Sequence, residues 1–130
     1  MEATKKFSTP IGDVTLKAGI MYVYQYPMES TLEQAKQHIA MLKEELKDYL
    51  PLPALINIKD MKTSKKEVRD YMSGDELTSM VTATALITGS GLSKILGNLF
   101  LSFSKPQFPT RLFSEEEKAV EWLQQYVKIP

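Results

Sequence analysis

The 130-residue sequence has no cysteine and a single histidine, His38, and its 16 Lys and Arg are matched by 16 Asp and Glu. Without cysteine there is no disulfide framework, no thiolate metal site and no cysteine nucleophile. One imidazole leaves little for histidine-based metal binding or proton transfer. A formal charge of zero lacks the basic stripe that a nucleic-acid surface needs. The N-terminal MEATKKFSTPIGDV has no apolar core of the signal-peptide kind. The most apolar stretch, 81–103, is interrupted by Gly89-Ser90-Gly91 and carries Lys94 and Asn98, which is not the composition of a membrane span. These absences predict a small cytoplasmic protein, not transmembrane and with no nucleic-acid partner, folded as one domain over 1–130.

What is present is periodic. Val14, Leu16 and Ala18 alternate with Thr15 and Lys17. After Gly19, Ile20, Tyr22, Tyr24 and Tyr26 alternate with Met21, Val23 and Gln25. Period two with aromatic and β-branched content predicts a pair of half-buried strands, with a further short strand around Phe7 before the Pro10–Gly12 turn. Ser30-Thr31-Leu32-Glu33 reads as a capping box, and behind it Leu32, Ala35, Ile39, Leu42, Leu46 and Tyr49 fall on one helical stripe that Pro51 and Pro53 end. Residues 54–58 are short and apolar, a buried strand.

Ser64-Lys-Lys-Glu67 reads as a second capping box, opening a helix with Val68, Tyr71 and Met72 inward. Gly74 breaks it before a short continuation to Met80. A strand is expected over 82–88, a helix over 92–103 from Leu92, Ile95, Leu96, Leu99, Phe100 and Phe103, and a strand over 110–113. Ser114-Glu-Glu-Glu117 would cap a last helix carrying Ala119, Trp122, Leu123, Tyr126 and Val127. Alternating strands and helices predict an α/β fold with a largely parallel sheet.

Chemistry-bearing patterns are sparse. Gly89-Ser-Gly-Leu-Ser-Lys94 stands where a strand passes into a helix, so its amides and Lys94 form a candidate anion site with Ser90 and Ser93. It lacks both the Walker spacing and G-x-G-x-x-G, and an ordinary turn capped by Ser90 explains it as well. Asp60, Ser64 and His38 are the ingredients available for a hydrolytic triad. There is no G-x-S-x-G elbow, however, and His38, beside Gln34 and Gln37, is expected on the solvated face. No cluster has metal-ligand spacing, so no metal or cofactor is expected. From Leu77 to Thr110 there is no acidic residue. This stretch would supply either the sheet centre with a packed helix or an apolar surface around Leu96, Leu99, Phe100, Leu101 and Phe103. The tyrosine row could stack a ligand or simply pack on the sheet.

The order of elements, with 54–58 running into Asp60-Met61 and then a capped helix, resembles the SpoIIAA-like or STAS fold. The closing segment, Ser93-Lys-Ile-Leu-Gly-Asn-Leu-Phe-Leu101, Lys105-Pro106, Pro109-Thr-Arg-Leu-Phe113 and Glu117-Lys-Ala-Val-Glu-Trp-Leu123, resembles an uncharacterised SpoIIAA-like group of Bacteroidetes bacteria. The resemblance implies a mixed sheet of four to five strands with about four helices packed mainly on one face. In anti-sigma factor antagonists of this fold an Asp-Ser-Ser-Gly-Leu motif carries the phosphorylated serine. Here Ser64-Lys65-Lys66-Glu67-Val68 stands in its place, leaving Ser64 as a candidate phospho-acceptor.

By that resemblance the expected function is a non-enzymatic regulatory or protein-interaction module, with 65–80 and 92–103 as docking helices and a homodimer open to it. The alternative is a carrier or sensor of an apolar small molecule or lipid, held under helix 92–103. An enzyme would need a deep polar pocket joining Ser64, Lys94 and Arg111.

Overall fold

A computed structural model describes residues 3–89, 91, 94, 95, 98 and 108–127. The strands are β1 (Lys5–Ser8), β2 (Gly12–Lys17), β3 (Ile20–Gln25), β4 (Leu52–Asn57), β5 (Val81–Ile87) and β6 (Thr110–Phe113). They form one sheet in the order β1-β2-β3-β4-β5-β6, one strand more than the expected upper count. The first three are antiparallel neighbours and the last four are parallel. The helices are α1 (Leu32–Leu46), α2 (Lys66–Met72), α3 (Asp75–Thr78) and α4 (Glu116–Leu123), followed by a 3-10 turn, Gln124–Tyr126.

The β2–β3 hairpin turns on two residues, Ala18 (φ 52°) and Gly19 (φ 78°). Positive φ at both central positions matches the right-handed twist of the flanking strands. At the other end of β2 the strands approach so closely that a Cβ on Gly12 would lie 2.5 Å from the Tyr24 carbonyl oxygen. The sheet tolerates Pro53 inside β4 because Leu52 and Ile58 turn their N–H groups toward β5, which leaves the Pro53 nitrogen on the β3 side, where pairing begins only at Ala54.

Two apolar layers sandwich the sheet. On one face Ile39, Leu42 and Leu46 of α1 and Leu77 of α3 pack with Val14, Leu16, Met21, Val23, Ala54, Ile56 and Leu86, and Tyr71 and Met72 of α2 close the edge. On the other face Ala119 and Leu123 of α4 pack on Ile20, Leu55, Ala83, Ala85 and Ile87. The alanines of β5 let α4 lie close, and α1, α2 and α3 share the opposite face, in keeping with helices mainly on one side.

The helix starts differ from the capping boxes read in the sequence. On α1 the cap is Thr31, not Ser30: its hydroxyl accepts the Gln34 N–H at 3.1 Å and Gln34 Oε1 accepts the Thr31 N–H at 2.9 Å. The reciprocal box is therefore present one residue later, with Gln in the role given to Glu33. α2 starts from Lys65 and α4 from Glu115, neither with a side-chain cap, so Ser64 and Ser114 do not cap. Tyr49, expected on the α1 stripe, lies past the helix end and is 41% exposed.

His38 is the largest departure. It is buried, 1% exposed, with Nδ1 2.7 Å from Thr9 Oγ1. The i−3 and i+4 neighbours of His38 are Ala35 and Leu42, so helical geometry carries it onto the flank of the buried stripe. Thr9 Oγ1 already accepts the N–H groups of Ile11 and Gly12, at 3.2 Å each. Its own proton is shared between Nδ1, at 2.7 Å, and the Gly12 carbonyl oxygen, at 3.3 Å, beside a neutral imidazole. Burial holds its pKa down at about 4.

Candidate functional site

A pocket opens at the carboxyl ends of the parallel strands, on the face covered by α1 and α2, with about 90 Å³ of interior volume and one side open to solvent. Its floor is Ile56 of β4 with Thr84 and Leu86 of β5. Period two puts those two β5 side chains on the α2 face, while Ala83, Ala85 and Ile87 face α4. Val68, Arg69 and Met72 of α2 and Leu77 of α3 form the roof. Ile58, Met61, Phe108 and Ile11 complete an apolar wall.

The loop between β4 and α2 is braced, which sets where Met61 and Ser64 stand. Asn57 Oδ1 accepts the Lys59 N–H at 2.9 Å, Met61 N–H donates to the Ile58 carbonyl at 3.0 Å, and Tyr24 donates to Asp60 Oδ2 at 2.7 Å. Thr63 donates to Glu29 Oε2 at 3.1 Å, joining this loop to the one before α1 that supplies Ser30. The hydrogen bond to Asp60 raises the pKa of Tyr24, so the phenol stays protonated and the brace intact.

Three polar features matter inside. Arg69, half-buried, is the one charged residue among the described lining residues, and its Nη1 donates to the Ser64 carbonyl oxygen. No carboxylate among the described residues forms an ion pair with it: Asp70, next in sequence, is held by Lys66 at 2.7 Å. Thr84 is 2% exposed and its hydroxyl has no hydrogen-bond partner among the described residues. Ser64 lines the pocket, half-buried, with its carbonyl engaged by Arg69.

The other candidates from the sequence are not gathered here. Arg111 is exposed on β6 and stacks over Phe113 and Trp122, 5.3 and 5.7 Å from the ring centroids, on the α4 side of the sheet. A sheet therefore separates it from Ser64, and the polar pocket joining Ser64, Lys94 and Arg111 does not form. Lys94 is exposed. Ser90, Ser93, Leu96, Leu99, Phe100, Leu101 and Phe103 lie outside the described residues.

Of the tyrosine row, Tyr22 packs beside the α4 layer, while Tyr24 and Tyr26 meet edge to face at 6.2 Å. Tyr26 and Ser8 both donate to Asp13 Oδ1, at 2.5 and 2.8 Å, which lowers the pKa of Asp13. Among the described residues no three His, Asp or Glu converge as a metal site would need, and no helix is long and apolar enough to cross a membrane. Thr9 and His38 have the contact of a nucleophile and its base, but both are buried and neither lines the pocket.

Arg69 and Thr84 carry no motif, and sequence reading misses them. Val68 and Met72 are legible as the inward face of α2, but only the fold brings that face over β5.

The profile of the family described as "Domain of unknown function (DUF7793)" matches residues 14–127. Among solved structures, the chain is similar to the crystal structure of an uncharacterised protein of the DUF3478 family, with a SpoIIAA-like fold, from Shewanella loihica PV-4. The TM-score is 0.64 and the identity 16%, over 95% of this chain and 98% of that one. At that identity the likeness shows the fold. No curated protein matches the chain.

Proposed function

This chain belongs to the DUF7793 family and has a SpoIIAA-like fold, and from that premise we propose that it is a non-enzymatic binding module of STAS type that holds an apolar small molecule in the pocket under α2. The carrying observation is the pocket itself, an apolar hollow floored by Ile56 and Leu86 and roofed by Val68 and Met72. An apolar pocket with a few placed polar groups is the common form of a small-molecule site. Its interior is smaller than the roughly 150 Å³ that accommodates benzene in an engineered cavity. The ligand is therefore compact, and part of it stays at the open side.

The protein-interaction reading draws less support. Tyr49 and Ile95 are the large exposed hydrophobics among the described residues, and single side chains of that kind are ordinary surface. An enzyme draws less still, since the lining offers no nucleophile hydrogen-bonded to a base.

The test is a titration of the protein, labelled at its methionine methyls, with toluene as a neutral probe. Met61 and Met72 resonances shift saturably while those of Met21, in the core away from the pocket, stay still. Met61→Trp fills the space and removes the effect. Unchanged Met61 and Met72 signals up to the solubility of toluene refute the reading.

A further inference from the structure

We propose that the ligand of this pocket is an organic acid with a compact apolar body, its carboxylate held by Arg69. This rests on the apolar-pocket reading and goes further by naming the charge and the residue that selects it. Arg69 presents five N–H donors in a planar fork that matches a carboxylate. Its Nη1 donates to the Ser64 carbonyl oxygen, and no carboxylate among the described residues pairs with it. A half-buried guanidinium without a counter-ion is costly, and a carboxylate supplies both the missing charge and a matching two-oxygen acceptor.

The surrounding charges point the same way. The described lining contains no Asp or Glu. Of the acids nearby, Asp60 accepts from Tyr24, Asp70 pairs with Lys66 and Glu29 accepts from Thr63, while Glu67, exposed in the first turn of α2, does not line the pocket. Residues 78–109, which supply Thr84, Leu86 and Phe108, contain no acidic residue at all. Among the described lining residues an entering acid therefore meets one cation and no anion, and an amine meets the same cation.

On the floor, the Thr84 hydroxyl, without a partner among the described residues, is a second polar anchor beside Ile56 and Leu86. Burying a hydroxyl without a partner costs free energy, and a hydrogen-bonding atom on the ligand recovers it. The arrangement is a cation at the rim, apolar walls, and one neutral hydroxyl beneath.

Hexanoate, 1-hexanol and hexylammonium, at a pH where hexanoate is ionised, separate these features by shape-matched probes read at Met61 and Met72. Hexanoate binds at least about tenfold tighter than hexanol, as one charge-assisted contact implies, and hexylammonium binds weakest. Arg69→Met brings hexanoate down to the level of hexanol, and saturable hexanol shifts at Met61 and Met72 in the same variant show the pocket intact. Arg69→Lys keeps part of the preference. Equal binding of hexanoate and hexanol, unchanged in Arg69→Met, overturns the acid inference and leaves the apolar-pocket reading standing. If no probe binds, both are overturned.

Discussion

Protonating His38 should destabilise the fold. Its pKa falls from an ordinary 6.5 to about 4 on folding, by burial. A group whose folded pKa is depressed gives stability that is complete above its unfolded pKa and is lost as pH falls toward the folded one. The window is therefore pH 6.5 down to 4. The linkage relation gives a loss of about 2 kcal/mol between pH 7 and 5 and about 3 kcal/mol by pH 4. The geometry supplies the cause: an imidazolium proton on Nδ1 would meet Thr9 Oγ1, which already accepts the Ile11 and Gly12 N–H groups. The assay is urea unfolding followed by the single tryptophan, Trp122, which sits on α4, away from His38. His38→Asn keeps an acceptor toward Thr9 and removes the titration. Each protein is compared with itself across pH, so the cost of the substitution and the carboxylate titrations cancel. Wild type should lose about 3 kcal/mol more than the variant between pH 7 and 4; parallel profiles would refute a buried neutral imidazole.

Other perturbations test the local geometry. Thr31→Ala removes a reciprocal cap and should cost about 1 kcal/mol, whereas Ser64→Ala should stay within about 0.5 kcal/mol, both by urea unfolding. Ala18 pays for its positive φ, so Ala18→Asn should stabilise by about 1 kcal/mol and raise Tm by roughly 4 °C in calorimetry. Asp13 should titrate below the usual carboxylate range in an NMR titration, and Tyr26→Phe should move it upward.

The fold was largely legible because its signals are local and repeated. Period two over 14–26 and the i, i+3, i+4 stripe of α1 each place many side chains at once, and the structure follows both. Single-residue assignments fared worse, since one residue of slippage costs little. Ser30 and Thr31 are both good caps, and only the chain's approach to α1 puts Ser30 on the pocket wall instead. His38 has polar sequence neighbours, Gln34 and Gln37, yet its place on the helix beside Ala35 and Leu42 carries it into the core. The pocket was hidden for a different reason: Ile11, Ile56, Arg69, Thr84 and Phe108 are far apart in the chain, and none carries a distinctive motif. Ser64 was singled out for capping and phosphorylation, and it lies at that pocket without the expected cap.

Strand order along the sheet equals order along the chain, from β1 to β6. No strand has to be slotted between two that have already paired, so every newcomer joins at a free edge. The local antiparallel meander closes over short connections, and each parallel addition then waits on a longer loop closure. A ribosome releasing this chain from its N-terminus thus delivers the strands in the sequence in which the sheet can accept them.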